Sequence, residues 1–239
     1  MQFLTFDKSE GLNILCLGAH SDDIEIGAGG TLLHLFRNYK IAKVRWVVFA
    51  SNETRKQEAE ASAAKFLEGV PAEVSVFSFR DAFLQFSALE IKEKFEEIKR
   101  GFEPDVVFTH YRSDRHQDHR LLSDLAWNTF RNHMILEYEI PKYDGDLGIP
   151  NCFFHIGEED AERKIEILLE SFPTQAGKHW FDREAFISLM RVRGLESASP
   201  SRYAEAFHAR IMVFSRLVRR LISLNGYILA IRRTNTSIQ

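Results

Sequence analysis

Cysteine is scarce, with only Cys16 and Cys152 in the chain. Both lie inside apolar runs, where a small buried thiol is the expected state, so neither a disulfide nor a cysteine nucleophile is assigned. An excess of one charge is missing as well: 31 basic residues face 34 acidic ones, for a net charge of -3. That balance recruits neither nucleic acid nor an anionic membrane and points to a small-molecule partner. No run approaches the roughly 18 to 20 apolar residues that span a bilayer, and the opening MQFLTFDKSE has no basic start leading into an apolar segment. The chain is therefore expected to be soluble and cytoplasmic, without a transmembrane segment. Repeats and low-complexity linkers are also absent, and 239 residues, 45% of them hydrophobic, suit one sizeable core.

What is present is an alternation. Apolar, β-rich runs at 13–19, 44–50, 74–79, 105–110 and 152–156 read as strands, with 134–140 a weaker sixth. Between them, apolar residues spaced by three or four predict helices at 31–38, 53–68, 89–100 and 121–130. Strand and helix in turn, with connections long enough for crossovers, predict an α/β fold: a mostly parallel sheet with helices on both faces. Ligands in such folds bind beyond the carboxyl ends of the strands. The most polar clusters fall there: His20-Ser21-Asp22-Asp23 after the first strand and His110 through His119 after the fourth. The segment 141–150, rich in proline and glycine, reads as a long loop of the kind that shapes a site.

These clusters carry metal chemistry. A catalytic zinc site takes three nitrogen or oxygen ligands from the protein and keeps one position open. In the first cluster neighbouring side chains diverge, so one aspartate can bind metal while the other takes a proton. In His116-Gln117-Asp118-His119 the histidines are three apart; one can bind metal and the other face substrate. Taken singly, such residues more often cap helices or satisfy local hydrogen bonds. Their convergence at strand ends of one sheet favours a site. His34, His133, His155 and His179 fall outside both clusters and are read as structural. The rival reading of Gly27-Ala28-Gly29-Gly30 as a nucleotide loop fails. His20 and Asp22 occupy the turn, Leu32 stands where a third glycine belongs, and two aspartates would repel phosphate. The glycines are expected to let the first helix approach the sheet closely.

Ala19-His20-Ser21-Asp22-Asp23, Gly27 to Leu32 and His116-Gln117-Asp118-His119-Arg120 together resemble the PIG-L or LmbE-like family of zinc-dependent N-acetylglucosamine deacetylases. Similar blocks recur at Pro104 to Thr109, Arg55 to Ala59 and Tyr203 to Phe207, so the resemblance spans roughly 11–213. It implies a Rossmann-like fold and hydrolysis of the linear amide of an N-acetylglucosamine-type sugar or its conjugate. It further implies His20, Asp23 and His119 as ligands of Zn2+, Asp22 as general base, His116 as acid or oxyanion stabiliser, and Arg55 as a contact to sugar hydroxyls. Fe2+ or Co2+ suits such a donor set too. Two departures stand out: Ser21 replaces the family's proline, and Ile24 replaces its acidic residue, with Glu25 one place on. Another acylated amine as substrate, and a metal-binding scaffold without turnover, are the alternative functions. Asp22 and His116 argue against the scaffold, since a structural zinc site needs neither base nor acid. Among Asp114, Asp118 and Glu205, the first two could orient a ring or cap a turn. Glu205 could line the sugar pocket or pair with Arg193 or Arg202.

The domain is expected to occupy 1–213, followed by a basic extension at 214–239. No acidic residue occurs from Ala206 to the end, while Arg210, Arg216, Arg219, Arg220, Arg232 and Arg233 do. The extension's apolar residues, Leu217, Leu221, Ile222 and Leu224 among them, are expected to pack on the domain or on a second copy of the chain in a homo-oligomer. Contact with an anionic partner is the competing expectation.

Overall fold

In β1 (Leu12–Gly18), Ile14 and Cys16 enter one apolar layer while Leu15 and Leu17 enter another. A strand buried on both faces needs cover on both sides, and the computed structural model, which describes residues 5, 6 and 8–212, supplies it. The other strands are β2 (Ile41–Ala50), β3 (Ala72–Phe79), β4 (Val106–His110), β5 (Met134–Tyr138), β6 (Cys152–Ile156) and β7 (Tyr203–Ala209). They form one seven-stranded sheet in the order β3-β2-β1-β4-β5-β7-β6. β1 to β5 pair in parallel, and β7 runs antiparallel to both of its neighbours. One face is covered by α1 (Asp23–Asn38), α2 (Glu53–Phe66), α5 (Glu158–Ser171) and α6 (Arg183–Glu196). α3 (Ala88–Gly101) and α4 (Gln117–Thr129) cover the other. This is the expected α/β architecture in a single domain, and its strand order reverses between β1 and β4, where a crevice opens at the strands' carboxyl ends.

The sequence placed the first helix at 31–38, but α1 starts at Asp23 and carries the glycines in its interior. Glycine there costs about 1 kcal/mol relative to alanine. Close packing is the compensation: a Cβ on Gly27 would lie 2.2 Å from the Tyr138 ring, and one on Gly30 would lie 2.7 Å from Ile156 Cδ1. The glycines thus bring α1 down onto the sheet, as expected. α5, α6 and β7 are additions that periodicity did not reveal. The extension at 214–239 and its apolar and basic residues beyond Met212 lie outside the described residues. Among the described residues, no helix is long and apolar enough to cross a membrane. Cys16 and Cys152 are both unpaired, and burial pushes the Cys152 thiol up to about 11.

β7 also carries a titrating group. His208 stacks on Tyr111 with ring centroids 3.7 Å apart, and its Nε2 has no hydrogen-bond partner among the described residues. Burial, reinforced by Arg193 and Arg210, holds its pKa down at about 4, and Glu139 at 4.0 Å does not offset this. Because the folded value lies below the ordinary 6.5, the unfolded chain binds more protons between those values. Stability contributed by neutral His208 is therefore present above about 6.5 and lost as pH falls towards 4. Thermal unfolding at pH 7 and pH 4.5 should show His208→Gln gaining on the parent protein in acid. Parallel losses in the two proteins would contradict this.

Candidate metal and catalytic site

β1 ends at Gly18, and the chain turns through Ala19, His20 and Ser21 into α1, whose N-cap position is Asp22. β4 ends in His110, and a short loop leads to α4, whose N-cap residue is His116. The two adjacent strands therefore deliver both polar clusters to one crevice. Asp22 does not cap its helix with its side chain. Asp23 turns back, and its Oδ2 accepts from the His20 backbone N at 2.6 Å. His116 does cap, its Nδ1 accepting from the Asp118 N at 3.3 Å.

Three donor atoms converge. His20 Nδ1 lies 3.1 Å from His119 Nε2 and 3.3 Å from Asp23 Oδ2, and His119 Nε2 lies 3.6 Å from that same oxygen. Ligands about 2.0–2.1 Å from a tetrahedral zinc stand about 3.3–3.4 Å from one another, so the triangle has the size of one tetrahedral face. Other donor sets overlap it, one with His116 beside His20 and His119 and one with His110 beside Asp23 and His119. The sets differ in their hydrogen bonding. His110 Nε2 accepts from the Ala19 N at 2.9 Å, which occupies its lone pair, and His116 Nδ1 is spent on the cap.

Carboxylates behind the rings aim their free nitrogens. Asp114 Oδ2 lies 2.9 Å from His119 Nδ1, which places the ring proton there and turns Nε2 towards the triangle. Asp118 Oδ2 lies 3.3 Å and Asp81 Oδ1 3.1 Å from His20 Nε2. Asp118 also accepts from the backbone N of Ala82 and of Leu84, binding the loop after β3 to the site. Both Asp114 and Asp118 thus orient rings. Among the described residues Glu205 pairs with no arginine. It accepts from Lys164 Nζ and from the backbone N of Gly30 and Thr31, fastening β7 to α1, while Arg193 pairs with Glu139 and Glu196.

The electrostatics fit a cation. Burial opposes a charge on His20, yet Asp23, Asp118 and Asp81 outweigh it and lift its pKa well above the ordinary value. Burial opposes the Asp23 charge too, and His119, His110 and His20 nonetheless pull its pKa well below the carboxylate range. Burial and the neighbouring His110 hold His119 down at about 4, so its ring is neutral and free to ligate. The crevice thus favours positive charge beside Asp23, which a divalent ion would satisfy with His20 neutral. Glu25 is pushed up to about 8 by burial and is mostly uncharged at neutral pH.

Asp22 is buried beside this triangle. Its Oδ1 receives Arg55 Nη2 at 2.8 Å, and its Oδ2 has no hydrogen-bond partner among the described residues. Burial raises its pKa against the pull of Arg55. Arg55 also donates through Nη1 to Glu58 Oε2 at 2.7 Å and to Thr174 Oγ1 at 3.1 Å, and it lies over the Phe172 ring. His116 packs edge-on to His20, and burial followed by the His20 charge lowers its pKa, which keeps it neutral.

Sequence reasoning placed His110 at the head of the second cluster without giving it a role, and it missed Asp81 and Lys142. His110 had a signal: in β4 it shares the parity of Val106 and Phe108, which face the α1 layer. Asp81 and Lys142 had none, because their elements reach the crevice only through the sheet.

Comparison with known proteins finds similar sequences and folds. Residues 15–130 match the family model described as PIG-L: GlcNAc-PI de-N-acetylase. Among solved structures, the chain is similar to N,N'-diacetylchitobiose deacetylase from Pyrococcus horikoshii (23% identity, 83% of each chain, TM-score 0.63). It is also similar to the 4-carboxy-2-hydroxymuconate hydratase GalB from Pseudomonas putida KT2440 (17% identity, 85% of this chain and 98% of that one, TM-score 0.64). A third is the zinc-inhibited form of teicoplanin deacetylase Orf2 (14% identity, 82% and 97%, TM-score 0.63). At these identities the likeness shows a shared fold, and the hydratase shows that this fold serves more than one reaction.

Proposed function

From a chain that carries the PIG-L family pattern across residues 15–130, we propose a metal-dependent hydrolase that removes the N-acetyl group from an amino sugar of the N-acetylglucosamine type or its conjugate. One observation carries the reading: a triangle of donor atoms with tetrahedral spacing stands beside a buried carboxylate oxygen that has no partner among the described residues. His20, Asp23 and His119 would hold the ion, with Zn2+ best suited and Fe2+ or Co2+ accommodated. When bound, such an ion acts as a Lewis acid on the amide carbonyl and lowers the pKa of a water to about 7.

The chain's own groups move the protons. Asp22 Oδ2 takes one from the attacking water as its oxygen bonds to the carbonyl carbon. When the carbon–nitrogen bond breaks, Asp22 returns that proton to the departing amine, leaving the free amino sugar and acetic acid, which loses its remaining proton to solvent as acetate. His116, with Nδ1 accepting at the cap, carries its proton on Nε2 and donates to the developing oxyanion. Arg55, expected from the sequence to touch sugar hydroxyls, we assign to positioning Asp22, because its guanidinium is engaged with Asp22, Glu58 and Thr174. Acetate release measured across free, phosphorylated, nucleotide-linked and glycosidic N-acetylated amino sugars tests the proposal. A metal-loaded protein that releases acetate from none of them, while releasing another acyl group or hydrating an alkene, would overturn it.

A further inference from the structure

We infer that Lys142 is a positioning residue for His119, and that through it the 139–151 loop and the metal centre hold each other in place. The inference rests on the donor set of His20, Asp23 and His119 proposed above. Lys142 follows β5 in the long loop, and its Nζ lies 2.9 Å from Asp114 Oδ2, the oxygen that also stands 2.9 Å from His119 Nδ1. The same ammonium group lies 2.8 and 2.7 Å from the two carboxylate oxygens of Asp146. Asp146 Oδ2 in turn accepts from the Arg115 N at 2.6 Å, and Asp114 Oδ1 accepts from the His116 N at 2.8 Å.

Burial separates this network from a surface ion pair. The side chains of Lys142, Asp114 and Asp146 are 13%, 3% and 7% exposed. Solvent-exposed pairs of the same kind contribute little, whereas charge-assisted bonds out of water are strong and directional. A loop fastener alone would need only Asp146. Sharing one Asp114 oxygen between Lys142 and His119 makes the position of that oxygen, and with it the aim of the imidazole, depend on the loop. Carboxylates that orient metal-binding histidines are worth about 10- to 100-fold in metal affinity, and Lys142 is the group that holds this one. Coupling of this kind is reciprocal, so metal binding must also steady the loop.

The test uses the full-length, metal-free protein titrated with Zn2+ against a competing chelator, together with amide hydrogen exchange across 139–151. Lys142→Met is expected to weaken Zn2+ binding about tenfold, at the lower end of the range for such partners. Lys142→Arg should recover most of the loss. Zn2+ should slow exchange in the parent protein's loop and do so much less in Lys142→Met. Should Lys142→Met fail to fold, Asp146→Asn, which loosens the lysine from the loop side, is expected to weaken Zn2+ binding in the same direction. Parental Zn2+ affinity in the folded variant, with unchanged loop protection, overturns the inference. A parent that binds Zn2+ and loses it in His119→Ala, alongside an unaffected Lys142→Met, overturns this inference alone. A parent that takes up no Zn2+ overturns the donor set as well.

Discussion

Asp22→Asn is expected to keep its metal and its fold while turning over at least about a hundredfold more slowly, the loss typical of removing a general base. The amide is close in shape to the carboxylate, and its oxygen can still accept from Arg55. Its NH2 group, however, cannot take a proton from water. Burial already raises the Asp22 pKa, so the folded protein bears a cost for an ionised carboxylate at this position. Asparagine carries no such cost, which separates loss of chemistry from loss of structure. The loss should fall on kcat, because proton removal matters in the transition state and little in substrate binding. Stoichiometric metal, an unchanged melting temperature and near-parental turnover together would remove Asp22 from the role assigned to it.

His119→Ala and Asp23→Ala should each lose stoichiometric metal and fall to background activity, and chelation of the parent protein should do the same until Zn2+ is restored. Each substitution removes one corner of a triangle whose edges are 3.1, 3.3 and 3.6 Å. Two remaining ligands do not make a catalytic site of the usual three. His110→Gln arbitrates between the overlapping donor sets. Its ring nitrogen is occupied by the Ala19 N–H, so this variant should retain the ion. Metal loss in His110→Gln with retention in the His20→Ala variant would move the site to Asp23, His110 and His119.

Much of this was legible in one dimension because it is local. Strands buried on both faces are unbroken apolar runs, so β1, β2 and β4 appear in the sequence within a few residues of their true ends. The turn carrying His20, Asp22 and Asp23 and the cap carrying His116 and His119 are single short segments, and their residue types alone announce metal chemistry. β7 was harder to read. Its alternating residues include the buried Glu205, whose partners Gly30, Thr31 and Lys164 come from distant elements. A polar residue satisfied across the fold looks, in sequence, like a surface residue.

The sequence by itself determined the α/β alternation and the strand ends at which the two polar clusters lie. Periods and residue types are properties of contiguous chain and need no knowledge of neighbours. Only the tertiary structure decided which lone pairs remain available. His110 Nε2 accepts from the Ala19 backbone N–H, Arg55 lies on Asp22, and Lys142 reaches His119 through Asp114. Hydrogen bonds between segments far apart in the chain make those assignments. Their geometry is fixed only when β1, β4 and β5 lie side by side and place their carboxyl ends around one crevice.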